Sequence, residues 1–240
     1  MVPSCALLKT KTLPPCASTA ALTMGSPRPV PPSAALAEVP PRLGVFGGSF
    51  NPIHLGHLLA ADDVRRKLQM DLVLFIPAYH PPHRRGPLAP YRHRLEMTRL
   101  AIDGEPGFEL CRIEEQRPGP SYTVETLSEL QLQCPGAALF LIIGSDQYRE
   151  VSSWHRPDRL TRLARVVVMS RPGVERPALF PGHAPKRVLF RSIIPVAISA
   201  AAVRARLAKG HSVRYMLPVR VTEYVKRHCL YRRPMTRRTA

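Results

Sequence analysis

Short apolar runs alternate with longer stretches of helical spacing along most of the chain. The apolar runs predict buried β-strands, and the spacing of apolar residues every three or four positions predicts helices. We expect strands at 43–46, 72–76, 108–113, 139–143, 165–170 and 187–193, and helices at 55–68, 91–102, 124–132, 200–208 and 219–228. This alternation favours an α/β fold, a Rossmann-like doubly wound parallel sheet with a small C-terminal helical region.

Polar motifs follow three of the predicted strands, directly after Phe46, Ile76 and Ile143. Because ligands of open parallel sheets bind at the carboxyl ends of the strands, these motifs are expected to meet in one site. Residues 171–187 contain four prolines and two glycines, which predicts a surface loop.

The chain divides into three parts by composition. Residues 1–42 are rich in Pro, Ala and Ser and predict a disordered leader. An over-extended start with Met24 as the true first residue, or a transit peptide, would explain the same composition. Residues 43–232 are expected to form the folded domain, and residues 233–240 a basic tail.

The net charge of the chain indicates which classes of molecule it can bind. The 240 residues include 35 Lys and Arg against 17 Asp and Glu, a formal net charge of +18. Such an excess favours anionic partners, namely nucleotides, nucleic acid or an acidic membrane. No apolar run is long enough to cross a membrane. The five cysteines are odd in number and show no metal-binding spacing, so they predict reduced thiols and a cytoplasmic location.

The segment 47–57 carries the clearest chemistry. Gly47 and Gly48 allow a sharp turn after the first strand, and the loop then enters a helix whose free N–H groups attract phosphate. His54 and His57 are one helical turn apart, so both imidazoles can face the same ligand and can change charge near neutral pH. A surface pair and half of a metal site are the alternative interpretations of the two histidines.

This segment resembles the GxFxPxHxGH signature of the HxGH nucleotidyltransferase superfamily. Three further segments, Pro-Pro-His-Arg at 81–84, Pro-Ser-Tyr-Thr at 120–123 and Ile-Gly-Ser-Asp at 143–146, are similar to those of bacterial nicotinate-nucleotide adenylyltransferases, as is Trp154. The resemblance covers about residues 43–232. It implies an enzyme that joins nicotinate mononucleotide to the AMP part of ATP and releases pyrophosphate, forming deamido-NAD in NAD biosynthesis.

The resemblance also implies roles for individual residues. The catalytic residues would be His54, His57 and Arg204. The ATP-binding residues would be Gly47, Gly48, Ser49, Phe50, Gly144, Asp146, Ser199 and Arg204. The mononucleotide-binding residues would be His83, Arg84, Tyr122, Thr123 and Trp154.

Some of these residues have a structural alternative. Asp146 could be a helix N-cap, Thr123 could cap the helix that follows it, and Trp154 could be a core residue. His83 and Arg84 could belong to a solvated loop.

Two positions depart from the family pattern. The segment at 198–204 resembles the ISxTxxR motif, but Ala201 stands where the family has Thr. Loss of one hydrogen bond to a charged group costs roughly 1.5–3 kcal/mol, so this change predicts a weakened enzyme. Ala78 stands where many relatives have a polar residue.

The implied reaction needs no protein nucleophile, because the 5′-phosphate of the mononucleotide can attack the α-phosphorus of ATP in line. Positioning and charge stabilisation then account for catalysis. Mg²⁺ is expected to be carried on the ATP phosphates, without a protein ligand.

Four alternatives remain. The chain could be another enzyme of the superfamily, such as a phosphopantetheine adenylyltransferase, or could prefer nicotinamide over nicotinate mononucleotide. It could be a basic nucleic-acid-binding protein, although no binding module is present. It could also be a degenerate member that binds nucleotide without catalysis. We expect ATP and nicotinate mononucleotide as partners and neither nucleic acid nor membrane; the oligomeric state is left open.

Overall fold

The computed structural model describes residues 40–82, 87–171 and 173–232. Six strands form one sheet: β1 (Arg42–Gly48), β2 (Leu72–Pro77), β3 (Phe108–Leu110), β4 (Ala138–Gly144), β5 (Arg165–Ser170) and β6 (Val188–Ser192). Seven α-helices accompany them: α1 (Leu55–Lys67), α2 (Tyr91–Ile102), α3 (Thr123–Gln133), α4 (Ser145–Arg149), α5 (Leu160–Leu163), α6 (Ala200–Ala208) and α7 (Val219–Arg227).

The strand order is β3-β2-β1-β4-β5-β6, and every neighbouring pair is parallel. The chain therefore moves outward from β1 in one direction and returns to build the other half from β4, which confirms the predicted doubly wound sheet. The reversal places the carboxyl ends of β1 and β4 side by side, where a crevice opens between the loops.

Two apolar clusters cover the two faces of the sheet. One includes Phe46, Phe75 and Ile142 together with α1, α6 and α7 residues, and the other includes Leu43, Leu141 and the α3 residue Leu127. Burial on both faces explains why the strands read as continuous apolar runs instead of alternating ones.

The predicted third strand is too long. β3 ends at Leu110, and the chain turns into a 3-10 helix at Ile113–Gln116. Ile113 is buried, but it lies in this 3-10 helix and not in the sheet. The apolar pattern therefore predicted its burial correctly but could not distinguish a strand from a 3-10 helix. The short helices α4 and α5 were not predicted because four or five residues are too few to show a helical period.

The described residues of the predicted surface loop at 171–187 are largely exposed, but several hydrogen bonds anchor the loop to Tyr148, Arg149 and Thr161. His183 is buried, and its imidazole pairs with the hydroxyl of Tyr148 and with the carbonyl oxygen of Pro157. In the described part of the chain, no helix is long and apolar enough to span a membrane. The predicted leader and tail lie outside the described residues, apart from Pro40–Arg42.

Candidate active site

The loop after β1 is held from below by a buried arginine. The guanidinium of Arg94, on α2, donates to the carbonyl oxygens of Ser49 (2.9 Å), Ala89 (3.0 Å) and Tyr79 (3.5 Å). Arg94 thereby ties the loop after β1 to the loop after β2, and its side chain is only 1% exposed. A buried cation that satisfies three carbonyl groups fixes both loops and adds positive charge beneath them.

Asn51 is a second residue through which hydrogen bonds connect the loop after β1 to other segments. Its side chain donates to the carbonyl oxygen of Pro87 and accepts hydrogen bonds from the N–H of Ala89 and, at 2.8 Å, from the hydroxyl of Tyr231. Its own carbonyl oxygen accepts a hydrogen bond of 2.8 Å from Arg204. The loop is thus connected to α6 and to the C-terminal end of the described chain.

The two histidines of the loop come together at the start of α1. Their rings are stacked, with centroids 3.7 Å apart and planes inclined by 20°. The backbone N–H of His54 donates to Nδ1 of His57 at 3.2 Å, so a neutral His57 carries its proton on Nε2. Nδ1 of His54 is buried and has no hydrogen-bond partner among the described residues.

Both imidazoles are neutral at physiological pH in this environment. Burial, followed by the positive charge of Arg171, lowers the pKa of His54 to about 4. Burial, followed by the proximity of His54, also lowers the pKa of His57 well below its usual value. The expectation that these side chains change charge near neutral pH is wrong for the ligand-free protein, because desolvation disfavours the imidazolium form.

Two helix N-termini lie beside the histidines. A Cβ atom placed on Gly56 would be 3.0 Å from Nδ1 of His54 and 3.5 Å from the carbonyl oxygen of Ile198, just before α6. Gly56 therefore allows the imidazole and the α6 entry to pack against α1. The first N–H groups of both helices lack intrahelical acceptors, and the two dipoles add positive potential at the same place.

α6 begins with a side-chain cap. The hydroxyl oxygen of Ser199 accepts a hydrogen bond of 3.1 Å from the N–H of Ala202, which leaves the hydroxyl hydrogen free to donate. Ala201 is exposed in the first turn of the helix. The position of the missing Thr is therefore open to a ligand and is not filled by packing.

A cleft of about 440 Å³ opens from this region along the carboxyl ends of the strands. One end is formed by the β1 loop, at Gly47–Ser49, and by Arg204. Aromatic side chains form the other end, where Tyr122 and His155 stack with ring centroids 4.3 Å apart beside Trp154. One end of the cleft therefore has groups that attract phosphate, and the other end has aromatic side chains that can stack on a planar ring.

Comparison with known proteins decides the family. The cytidylyltransferase-like family matches residues 45–206. A Thermus thermophilus protein named "Probable nicotinate-nucleotide adenylyltransferase" is 46% identical over 191 residues, covering 80% of this chain and 100% of its own length. A protein of the same name from Thermomicrobium roseum is 42% identical over 197 residues, covering 80% and 92%. The chain belongs to the nicotinate-nucleotide adenylyltransferases.

The fold agrees with this assignment. The Plasmodium falciparum nicotinic acid mononucleotide adenylyltransferase, solved in complex with NaAD, superposes with a TM-score of 0.67 at 17% identity. The alignment covers 80% of this chain and 97% of that one. This adenylyltransferase therefore has the Rossmann-like nucleotidyltransferase architecture that its sequence predicted.

The structure places seven of the fifteen predicted site residues in the lining of this adenylyltransferase's cleft. The predicted residues that line the cleft are Gly47, Gly48, Ser49, Tyr122, Thr123, Trp154 and Arg204. His54, His57 and Ser199 lie beyond the β1 loop, at the two helix starts. His83 and Arg84 lie outside the described residues, next to Pro82, which lines the cleft.

Three of the structural alternatives are resolved. Asp146 is not an N-cap: α4 is capped at Gly144, whose N–H donates to Gln147, while the Asp146 side chain is 95% exposed and pairs with Arg149. Thr123 is the first residue of α3, and the cap residue Tyr122 makes no side-chain cap. Trp154 is partly buried at the cleft wall and is not a core residue.

Phe50 differs from the prediction in its side chain. It is 3% exposed and packs on Phe46, Phe75 and His57, with ring centroids between 5.2 and 5.9 Å apart. Its backbone has a φ of 43°, which turns the chain sharply between β1 and α1. The side chain therefore supports His57 from behind, and only the backbone of Phe50 can face a nucleotide.

Several residues of the site were not predicted from the sequence. They are Arg94 beneath the loops, Arg171 near His54, and the cleft-lining side chains Glu114, Gln147, Glu150 and His155. His155, which follows Trp154, and Gln147, which follows the Ile-Gly-Ser-Asp segment, stood next to recognised motifs and could have been found from them.

Proposed function

We propose that this enzyme transfers the adenylyl group of ATP to nicotinate mononucleotide, which yields nicotinate adenine dinucleotide (deamido-NAD) and pyrophosphate. The observation that carries the proposal is one continuous cleft between two kinds of wall. At one end the cleft is lined by the β1 loop and Arg204, and the starts of α1 and α6 with His54 and His57 lie just beyond that loop. At the other end the cleft is lined by Trp154 and Tyr122.

The first end fits the triphosphate of ATP. Nε2–H of His57 and the imidazole of His54 would donate to phosphate oxygens, and Arg204 would supply positive charge. The N–H groups at the start of α6 and the Ser199 hydroxyl would bind the same anion.

The remaining ATP contacts would come from both sides of the β1–β4 crevice. The backbone of the β1 loop, from Gly47 to Phe50, can approach the nucleotide closely. Gly144 and Asp146 follow β4, and the exposed Asp146 carboxylate can accept hydrogen bonds from ribose hydroxyls.

The second end fits nicotinate mononucleotide. Trp154 would stack on the pyridine ring, and Tyr122 and Thr123 at the start of α3 would lie near the nicotinate carboxylate. His83 and Arg84 would meet the 5′-phosphate of the mononucleotide. That phosphate would then point toward the α-phosphorus of ATP, as an in-line attack requires.

Mg²⁺ enters this proposal as part of the substrate. The groups at the phosphate end are nitrogen donors, whereas Mg²⁺ prefers oxygen ligands. Among the described residues, no group of three His, Cys, Asp or Glu side chains is placed to hold a metal ion. The phosphate oxygens of ATP and water would therefore coordinate the ion, and its charge would offset that of the leaving pyrophosphate.

We also propose the division of the chain into a leader (1–42), an enzymatic domain (43–232) and a basic tail (233–240), with a cytoplasmic location. Turnover by a 40–232 fragment tests the division. Activity equal to that of the full chain supports it, and a large loss contradicts it.

The decisive experiment measures Mg²⁺-dependent pyrophosphate release from ATP with nicotinate mononucleotide, nicotinamide mononucleotide or phosphopantetheine as acceptor. Strong release with nicotinate mononucleotide alone supports the proposed reaction and substrate. Preference for nicotinamide mononucleotide would contradict the acceptor, and release only with phosphopantetheine would contradict the reaction. ATP binding with no release from any acceptor would show a degenerate member.

A further inference from the structure

Glu114 is an acidic side chain buried at the ring-binding end of the cleft. It is 7% exposed and lies in the 3-10 turn that follows β3, at the carboxyl edge of the sheet. It lines the cleft together with Ala78, Tyr122 and Trp154. Its position therefore places a negative group next to the walls proposed to hold the pyridine ring.

Both carboxyl oxygens of Glu114 accept hydrogen bonds from the protein. Oε1 accepts a hydrogen bond of 2.9 Å from the hydroxyl of Thr126, and Oε2 accepts one of 3.3 Å from the N–H of Tyr79. No side chain or backbone group among the described residues accepts a hydrogen bond from this carboxyl group. These bonds also hold the loop after β2 against α3, so Glu114 fixes two walls of the cleft.

No direct cation balances this charge within the described residues. Arg117 is the nearest arginine in the network, but its guanidinium donates to the Thr126 hydroxyl at 3.1 Å and pairs with Glu125 and Glu129. A buried carboxylate without an ion pair lowers the stability of a folded protein, even when it accepts two hydrogen bonds. A cation bound in the cleft would offset that cost.

The proposed substrate contains such a cation. A pyridine ring joined to ribose through its nitrogen carries a formal positive charge, and the aromatic faces of Trp154 and Tyr122 favour a cation as well. We propose that Glu114 is a specificity-determining residue that selects a positively charged pyridinium ring over its neutral reduced form. This inference rests on the proposed function, because it needs the mononucleotide in this part of the cleft.

Two ligands of nearly equal shape isolate the ring charge, namely nicotinate mononucleotide and its 1,4-dihydro form. Calorimetry gives the Kd of each, and pyrophosphate release gives kcat/KM. Wild-type protein is expected to prefer the charged ring, and Glu114→Gln to reduce the preference on the order of tenfold, as a charge pair in a shielded site implies. Equal affinity of wild-type protein for both forms would overturn the inference without any variant.

Four control variants separate charge from structure. Glu115→Gln removes an exposed neighbour that pairs with Arg112, and Glu150→Gln removes the other carboxylate of the cleft wall. Glu114→Asp and Thr126→Val keep the charge but disturb the hydrogen bonds. All four are expected to preserve the preference for the charged ring, even where they weaken both ligands.

A shift of the preference in Glu150→Gln, its loss in Glu114→Asp, or an equal loss of both ligands in Glu114→Gln would each overturn the role of Glu114. These outcomes leave the proposed reaction intact, since wild-type turnover of nicotinate mononucleotide measures that reaction separately. Absence of wild-type turnover with every acceptor would instead overturn the proposed function.

Discussion

The backbone N–H of His54 donates to Nδ1 of His57, and this bond determines which face of the second imidazole can donate. With Nδ1 occupied as an acceptor, the neutral ring presents Nε2–H outward. The signature spacing of the two histidines therefore sets the tautomer of His57 as well as its position, and the phosphate binding proposed for the two rings does not require them to be charged.

Replacement of His57 by Ala should cut turnover by roughly two to three orders of magnitude, because a donor to the reacting phosphates is lost. Steady-state pyrophosphate release measures the effect. His93→Ala is a suitable control, since His93 lies on α2 and bonds Tyr224 instead of the β1 loop. Near-normal kcat in His57→Ala would contradict the proposed mechanism.

The protein should lose stability as the pH falls from about 6.5 to about 4. In this window the unfolded chain binds a proton at His54 that the folded chain excludes, since burial lowers the folded pKa to about 4. The free energy of unfolding therefore rises with pH there, by up to about 3 kcal/mol from this residue. Urea unfolding at several pH values, with His54→Asn for comparison, measures the slope. An unchanged slope in the variant would show that His54 is not the source.

Ala201→Thr should leave the fold unchanged and improve activity or ATP affinity. Residue 201 is exposed in the first turn of α6, so a hydroxyl there can donate to a phosphate. A hydrogen bond to a charged group of about 1.5–3 kcal/mol sets the upper limit, a factor of roughly ten to over a hundred. Ala205→Thr, later on the same helix, is the matched control. No gain over that control would mean that another group already binds the phosphate.

Arg94→Met should lower the free energy of unfolding by about 3 kcal/mol or more, because buried carbonyl groups lose a charged donor. It should also raise the KM values of both substrates, since the loops after β1 and β2 lose their common support. Arg99→Met, on the exposed face of α2, removes only a surface pair with Glu96 and should change stability by less than about 1 kcal/mol. Equal effects of the two substitutions would contradict a special role for Arg94.

The spacing of apolar residues in the sequence was sufficient to predict the long, regular helices and strands of this fold. The predicted bounds of α2, β5 and α6 agree with the structure, because each has an uninterrupted period and clear ends. The pattern failed at β3, where Ile113 is buried in a turn, and at α4 and α5, which are shorter than two turns.

Prediction from local sequence also found only some of the residues of the candidate active site. Motif residues such as His54, His57 and Trp154 could be found because they stand in a recognisable local context. Arg94 and Glu114 could not, because their importance comes from partners far along the chain, in loops that only the sheet topology brings together. Their environment is a property of the tertiary fold and leaves no periodic signal in the sequence.

The hydrogen bond between Tyr231 and Asn51 can form only late in the synthesis of the domain. The two residues are 180 positions apart, so at 5–20 residues per second the ribosome makes the second about 9–36 seconds after the first. The β1 loop, although encoded near the start of the folded domain, receives this support from Tyr231 only after α7 has been synthesised. A nascent chain therefore cannot complete its ATP site, or sequester ATP with full affinity, before translation of the domain is finished.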